Sequence, residues 1–155
     1  MRTRILFTML ACSIFFSAVA KAQDTMSYKP AAAAQTGPMP ILPACATAAV
    51  TDGDPAKPGS IIMLKIKAGC VIPQHWHSAN ERLIIISGSG HAGMKGMSAT
   101  ALSAGDFIYL PAKGIHLFHA VTDVTLYDIS DGPFDIHYVD AAGKEITPTE
   151  AFKKY

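Results

Sequence analysis

The chain has 155 residues, half of them hydrophobic and 16% charged, with a formal net charge of +1. This length suits one compact domain, and this composition suits a folded core and not a disordered segment. The lysines and arginines are scattered along the chain and form no basic stripe of the kind that nucleic-acid binders carry, so no nucleic-acid partner is expected.

Residues 1–22 have the features of a secretory signal peptide. Two arginines precede an apolar run over residues 5–19, and small residues follow at the positions that a signal peptidase reads. We favour cleavage after Ala22, with cleavage after Ala20 as the alternative. A retained anchor helix is disfavoured because a membrane span needs ~20 apolar residues, and a lipoprotein site at Cys12 is disfavoured because the apolar run continues past it. We therefore expect a periplasmic or secreted protein, with no stable membrane anchor after signal cleavage.

Residues 23–45 are rich in alanine and proline, and we predict an irregular arm or linker there because proline fixes φ and removes a backbone donor.

Removing the signal leaves two cysteines, Cys45 and Cys70. In an oxidising compartment they could form a disulfide, which by the chain-entropy argument would add ~3–4 kcal/mol of stability. Two separate buried thiols agree equally well with the sequence.

Residues 46–140 have the pattern of an all-β domain, and residues 141–155 form a C-terminal tail with no clear pattern. Apolar and other residues alternate from Ile62 to Lys67, which indicates a half-buried strand. Short apolar runs follow at 83–86, 107–110, 116–126 and 136–139, with glycine and proline at several of their boundaries. Several short strands without a convincing amphipathic helix predict a β-sandwich or barrel.

Four side chains form a candidate metal-binding set. His75 and His77 flank Trp76, and residues two apart in a strand point to the same face, so we expect both imidazoles on one face and the indole on the other. Glu81 follows four residues later, and His116 comes from a distant strand. Three imidazoles and one carboxylate suit Fe, Mn, Ni, Zn or Cu and leave positions open for water or substrate. A His-x-His pair alone is more often a surface or packed feature than a metal site.

Two spaced motifs surround these residues. The first runs from Gly69, through the three ligands His75, His77 and Glu81, to Gly88; the second contains Gly105, Pro111, Gly114 and His116. Both motifs resemble those of the cupin superfamily, and the resemblance covers about residues 60–140. The second departs from the family pattern in two places: its glycine comes one residue late, at position 114, and Ala120 stands where the family often has asparagine. The late glycine leaves the geometry of the local turn open.

The resemblance implies a cupin-type double-stranded β-helix, or jelly-roll barrel, with one divalent metal ion held inside by His75, His77, Glu81 and His116. It further implies a metal-dependent oxidoreductase of the dioxygenase type, or an isomerase or lyase, acting on a small phenolic or enediol molecule. In this hypothesis Glu81 is catalytic: it ligates the metal and then swings off to take a substrate proton. The alternative is a non-catalytic cupin that binds a small ligand and uses its metal for structure or sensing.

The remaining histidines fit structural roles better than catalytic ones. His91 and His119 are interpreted as structural or exposed, and the strand parity of His119 is opposite to that of His116. His137 is interpreted as a packing or dimer contact, and Trp76 as part of the outer layer. We expect a homodimer, because a partner's arm can cover an open barrel edge.

The export signal also bears on the metal. The two N-terminal arginines are not adjacent, so the signal is not of the twin-arginine type, and we expect the chain to fold and acquire its metal outside the cytoplasm. Affinity for nitrogen and oxygen sites rises toward copper, and zinc also binds tightly. We therefore predict zinc or copper on isolation from the periplasm, even if the working ion is Fe, Mn or Ni.

Overall fold

The computed structural model describes residues 26–153, which form two antiparallel sheets of five strands each. The strands are β1 (Ala46–Asp52), β2 (Ile61–Ile66), β3 (Val71–Trp76), β4 (Glu81–Ser87), β5 (Ser89–Met94), β6 (Thr100–Ser103), β7 (Phe107–Leu110), β8 (His116–Ala120), β9 (Val124–Ser130) and β10 (His137–Tyr138). The first sheet has the order β1-β2-β9-β4-β7 and the second β10-β3-β8-β5-β6. This is the all-β, cupin-type barrel that the sequence predicts.

Two sequence predictions lie partly or wholly outside the described residues: the signal peptide over 1–22 and the start of the arm at residue 23. Within residues 26–153, no helix is long and apolar enough to cross a membrane. The apolar run at 116–126 is not one strand, because a turn at residues 121–123 divides it into β8 and β9. The tail contains a short helix, α1 (Pro148–Phe152), whose first turn is closed by a capping box between Thr147 and Glu150.

The core forms because alternate residues of the strands point between the two sheets. Strand β9 shows this strictly, with every second side chain from Val124 to Ser130 buried. Ile62, Ile85, Leu110 and Leu126 are among the largest fully buried side chains. Burial of each such side chain contributes roughly 1.5–3 kcal/mol, so the inward positions of both sheets determine the stability of the barrel.

The later part of the arm packs against the barrel. Gly37 forms a bridge with Ala48 of β1, and the Tyr138 hydroxyl donates a hydrogen bond to the carbonyl of Ile41 at 2.8 Å. Leu42 is buried in the core cluster. Cys45 and Cys70 are joined by a disulfide, with their Cα atoms 5.8 Å apart, so the question that the sequence left open is answered in favour of the bond. The arm is thereby tied to the turn that leads into β3.

The motif glycines lie in turns with positive φ. Gly69, Gly88 and Gly105 have φ values of 79°, 83° and 94°, in the region that only glycine enters without steric cost. Gly88 has a second constraint, since a Cβ atom there would lie 2.0 Å from the carbonyl oxygen of Asp123. The turn between β4 and β5 therefore requires glycine for both backbone angle and space.

Candidate metal centre

The structure brings His75, His77, Glu81 and His116 together inside the barrel, where all four are buried. His75 on β3 is the direct cross-strand partner of His116 on β8. His77 follows β3 directly, and Glu81 is the first residue of β4, so the turn between these strands carries the carboxylate across to the opposite sheet. The four predicted ligands thus come from both sheets and converge in one place.

The distances between these groups are short enough for one ion. The ligating nitrogens available on the three histidines lie within 4.8 Å of one another. One carboxylate oxygen of Glu81 is 3.4 Å from Nε2 of His77, and the other is 3.4 Å from Nε2 of His116. A metal between them would bond each atom at about 2.0–2.2 Å, which requires only small adjustments of these side chains.

Each histidine is held by a hydrogen bond that fixes its tautomer. The Nδ1–H group of His75 donates to the carbonyl of Pro73 at 2.6 Å, and that of His116 donates to the carbonyl of Gly114 at 2.8 Å. His77 donates in the same way to the carbonyl of Asp135. A carbonyl can only accept, so the proton is on Nδ1 in all three rings. The Nε2 lone pairs are left for a metal, as in many histidine metal sites.

Several buried polar atoms of this cluster have no hydrogen-bond partner among the described residues: Nε2 of His77, Oε2 of Glu81 and Oδ1 of Asp128. Burying a polar atom without a partner costs free energy, and such atoms are rare in native proteins. A divalent ion coordinated by His77 and Glu81 would satisfy two of the three. These side chains therefore have the chemistry of a metal site, and a bound ion would satisfy buried atoms that otherwise have no partner.

The protonation states also suit a cation. Burial, followed by the neighbouring His116 and His77, holds the pKa of His75 well below its usual value, and burial likewise lowers the pKa of His77. Burial opposes ionisation of Glu81, but the neighbouring His77, together with His116 and Asp128, outweighs it and keeps the Glu81 pKa below its usual value. Neutral imidazoles beside a carboxylate are the forms that bind metal ions.

Asp128 is a member of this cluster that the sequence analysis missed. It is fully buried on β9, and burial, together with the charge of Glu81, raises its pKa well above the usual value. A protonated Asp128 can donate a hydrogen bond to the Glu81 carboxylate and orient it. One sequence signal was available: Asp128 occupies an inward position of β9, in phase with Val124 and Leu126.

The late glycine of the second motif is explained by the turn before β8. Lys113 stands where the family glycine is expected and adopts the left-handed conformation, with φ at 63°. Its N–H donates to the carbonyl of His77 at 2.9 Å, and its Nζ lies 3.5 Å from the centroid of the Trp76 ring. A Cβ on Gly114 would lie 2.9 Å from the backbone carbonyl oxygen of Pro111, so this position requires the smallest residue. Lysine keeps the turn at a backbone cost of roughly 1–2 kcal/mol, which the cation–π contact partly offsets.

The aromatic residues that the sequence analysis placed outside the metal cluster, Trp76, His119 and His137, lie on the outer face of the barrel. Trp76 stacks on His137, with ring centroids 3.9 Å apart and planes within 2° of parallel, as expected for an outer-layer residue. His137 also approaches Asp135 and Glu145. His119 has the opposite parity to His116 and faces away from the cluster, as its sequence position predicts.

A cavity of about 40 Å³ adjoins the cluster. One water needs only ~10–15 Å³, so there is room for an ion with small additional ligands. Apart from the clustered polar residues, the lining is apolar. The lining residues that remain partly exposed are Leu117, Phe134 and Ile136, and two of them belong to the segment between β9 and β10. Access to the cavity is therefore on the side of that segment.

Known proteins share this architecture. Residues 62–130 match the family described as the cupin domain. The fold is similar to KdgF from Halomonas sp., with a TM-score of 0.60 and 18% identity over 72% of this chain and 96% of that one. It is also similar to the conserved protein SPY1581, of unknown function, from Streptococcus pyogenes, with a TM-score of 0.51 and 17% identity over 58% of this chain and 76% of that one.

A third similar structure is a salicylate 1,2-dioxygenase from Pseudaminobacter salicylatoxidans. The TM-score is 0.53 with 22% identity, and the match covers 59% of this chain and 27% of that one, so this chain spans about a quarter of that enzyme. The same enzyme has been solved with gentisate. No curated protein sequence matches the chain. At these identities, the structural likenesses establish the fold alone.

Proposed function

Because residues 62–130 match the cupin domain family, we propose that this chain is a metal-dependent enzyme acting on a small molecule, with dioxygenase-like or isomerase/lyase-like chemistry. The observation that carries the proposal is the convergence of three Nε2 atoms and one carboxylate beside a cavity. His75, His77, Glu81 and His116 would hold one ion of Fe, Mn, Ni, Zn or Cu. When bound, that ion would supply Lewis acidity or redox chemistry, with coordination positions left open.

Glu81 is the proposed catalytic residue. Its carboxylate is within 3.4 Å of two imidazoles and adjoins the cavity, where a substrate would sit. A carboxylate in this position can take a proton from a bound hydroxyl or acidic carbon when it leaves the ion. Asp128, which is buried next to Glu81, is the proposed positioning residue for this carboxylate.

The cavity supports a small and largely neutral substrate. None of its lining residues, all within the described chain, is lysine or arginine, so no side-chain cation is available to pair with an anionic substrate. Phenols, catechols and enediols without an acidic substituent are largely neutral near pH 7, and they carry hydroxyl groups that a metal can bind. This chemistry is the substrate class that we propose. The dioxygenase among the structural neighbours is named for salicylate, which shares the phenolic hydroxyl but also carries a carboxylate.

We also propose that the protein works outside the cytoplasm and as a homodimer. The Cys45–Cys70 bond supports an oxidising location, where disulfides persist.

The outer face of the first sheet supports self-association: Ile86, Phe107 and Tyr109 are large, apolar and about half exposed or more, and such patches mark interaction sites. Sedimentation of the wild type as a dimer, and of Phe107→Glu as a monomer, is the expected result; a monomeric wild type would overturn it.

Oxygen uptake and product analysis test the enzyme proposal. Metal-free protein is loaded in turn with Fe, Mn, Ni, Zn or Cu and supplied with a panel of neutral catechols, other phenols and enediols, with hydroxybenzoates as the anionic comparison. We expect turnover with at least one ion, and none in His116→Ala prepared in the same way. Tight metal binding without turnover, and without an exchangeable coordinated water, would instead support the small-ligand-binding alternative.

Glu81→Gln tests the proposed double role of the carboxylate. The amide is nearly isosteric but is a weaker ligand and cannot take up a proton at neutral pH. We expect lower metal content and, in the fraction that keeps its metal, a fall in turnover of ~10²–10⁴-fold, the usual contribution of a general base. A variant that retains both metal and turnover would rule out this role.

A further inference from the structure

A second pair of histidines lies on the outside of the barrel. His91 on β5 and His119 on β8 are direct cross-strand partners, with ring centroids 6.3 Å apart and ring planes inclined by 26°. Both side chains are partly exposed. They occupy the outer face of the second sheet because the alternate residues of β8, among them His116 and Phe118, are buried inside.

Both rings have nitrogens available for a ligand. Across residues 26–153, neither imidazole makes a side-chain hydrogen bond or an ion pair, whereas the other outer histidine, His137, approaches Asp135 and Glu145. The next cross-strand neighbours are uncharged: Val71 stands opposite His119, and Ala101 stands opposite His91. The small side chain at position 101 leaves room beside the pair, and no cation in these neighbouring positions would repel a metal ion.

We propose that His91 and His119 form a second metal site that binds a divalent transition-metal ion at the barrel surface, with water completing its coordination. Two imidazoles on opposed positions of neighbouring strands provide a chelating pair, and imidazole suits Zn²⁺, Cu²⁺ and Ni²⁺. Cu²⁺ should bind most tightly of these, since affinity at nitrogen sites peaks at copper.

The geometry needs one modest adjustment. Metal–nitrogen bonds of about 2.0–2.1 Å place the centroids of two rings on one tetrahedral ion about 5 Å apart. The three interior rings already have centroid separations of 4.2, 4.9 and 5.3 Å. The outer rings must therefore approach each other by about 1 Å, which rotation of partly exposed side chains can provide.

The outer pair is independent of the interior cluster. His116 points inward and His119 outward from the same strand, so the two sites lie on opposite faces of the second sheet. The outer pair contributes only two protein ligands and is open to solvent, whereas the interior cluster has four and is buried. The surface ion should consequently bind more weakly and exchange faster.

The test is titration of metal-free purified protein with Cu²⁺ and with Zn²⁺ by calorimetry, with electron paramagnetic resonance of the copper samples. We expect two ions per wild-type chain, the weaker one showing coupling to two nitrogens. His91→Gln and His119→Gln should each abolish the weaker ion and retain the tighter one. His137→Gln is the matched control, because it removes an outer histidine that is not part of the pair, and it should retain both ions.

His116→Ala separates this proposal from that for the interior cluster. If the interior site is real, this variant loses the tight ion and retains the weak one. If the interior site binds nothing, the wild type takes up one ion only, and His91→Gln removes it, which leaves the surface site standing. A weak ion that persists in both His91→Gln and His119→Gln, or a wild type whose only ion is lost in His116→Ala, would overturn the surface site.

Discussion

His75 and His116 are direct cross-strand partners in β3 and β8, with ring centroids 4.2 Å apart. Their two motifs are far apart in the chain, so only the correct pairing of these strands brings the rings together. A slip of one residue would turn one imidazole to the outer face, because side chains alternate along a strand. The convergence of these two imidazoles therefore depends directly on the register of the second sheet.

His116→Ala should abolish tight metal binding. Removing a residue that hydrogen-bonds to a metal ligand typically lowers metal affinity by about 10–100-fold. Removing a ligand itself should therefore lower it by at least about 100-fold. The wild type should gain about 2.7 kcal/mol of unfolding free energy at an ion concentration 100 times the Kd, and the variant should gain almost none. Calorimetry and thermal melts with added Zn²⁺ provide the measurement.

His119→Gln is the control for that experiment, because it changes a histidine on the same strand that faces the opposite side. It should keep the tight ion and its stabilisation. Equal losses in the two variants would show that disturbance of β8, and not removal of a ligand, explains the result.

The sequence predicted the four clustered residues because their spacing is fixed within two short motifs. It did not predict Asp128, since an acid in an apolar strand is recognisable only when the strand parity is known, and the run from 116 to 126 did not show where β8 ends. It also did not predict that Leu42 packs into the core, because an Ala/Pro-rich segment has no periodicity from which its partner can be read. Contacts between distant segments depend on the closure of the barrel, which local patterns do not describe.

Asp128→Asn and Asp128→Ala should behave differently. Asparagine keeps a hydrogen-bond donor for the Glu81 carboxylate, whereas alanine removes the donor and leaves space beside the ligand. We expect metal affinity to fall by ~10–100-fold in Asp128→Ala and by much less in Asp128→Asn, as for other groups that orient metal ligands. Equal affinity in wild type and Asp128→Ala would show that this carboxyl group does not position Glu81.

The Cys45–Cys70 disulfide closes a loop with a sequence separation of 25 residues. Without the disulfide the unfolded chain has more conformational entropy. The double variant Cys45→Ser/Cys70→Ser should therefore lose about 3–4 kcal/mol of unfolding free energy. Denaturant melts measure this loss, and reduced wild type should match the double variant. A loss below about 1 kcal/mol would mean that the arm is held mainly by its packing against the barrel.

Gly88→Ala should destabilise the fold more than Gly69→Ala. Both glycines have positive φ, so both variants incur the left-handed backbone cost of roughly 1–2 kcal/mol. Only at Gly88 would the new Cβ collide with another group, the Asp123 carbonyl at 2.0 Å; at Gly69 nothing lies within 4 Å. The difference between the two variants in unfolding free energy, measured by chemical denaturation, therefore gives the cost of the collision at Gly88. Equal decreases in the two variants would contradict a requirement for space at Gly88.

The metal found on isolation should reflect where the chain folds. Three neutral imidazoles and a carboxylate discriminate poorly among divalent ions, and their affinity follows the general order that peaks at copper, with zinc close behind. If the chain crosses the membrane unfolded, these ions reach the ligands first, and elemental analysis of protein recovered from the periplasm should find zinc or copper. The analysis is best done on His91→Gln, so that only the interior ion is counted, beside a leaderless protein folded in the cytoplasm. Mainly manganese in the exported protein would show that the ligand set, or its delivery route, selects the ion in another way.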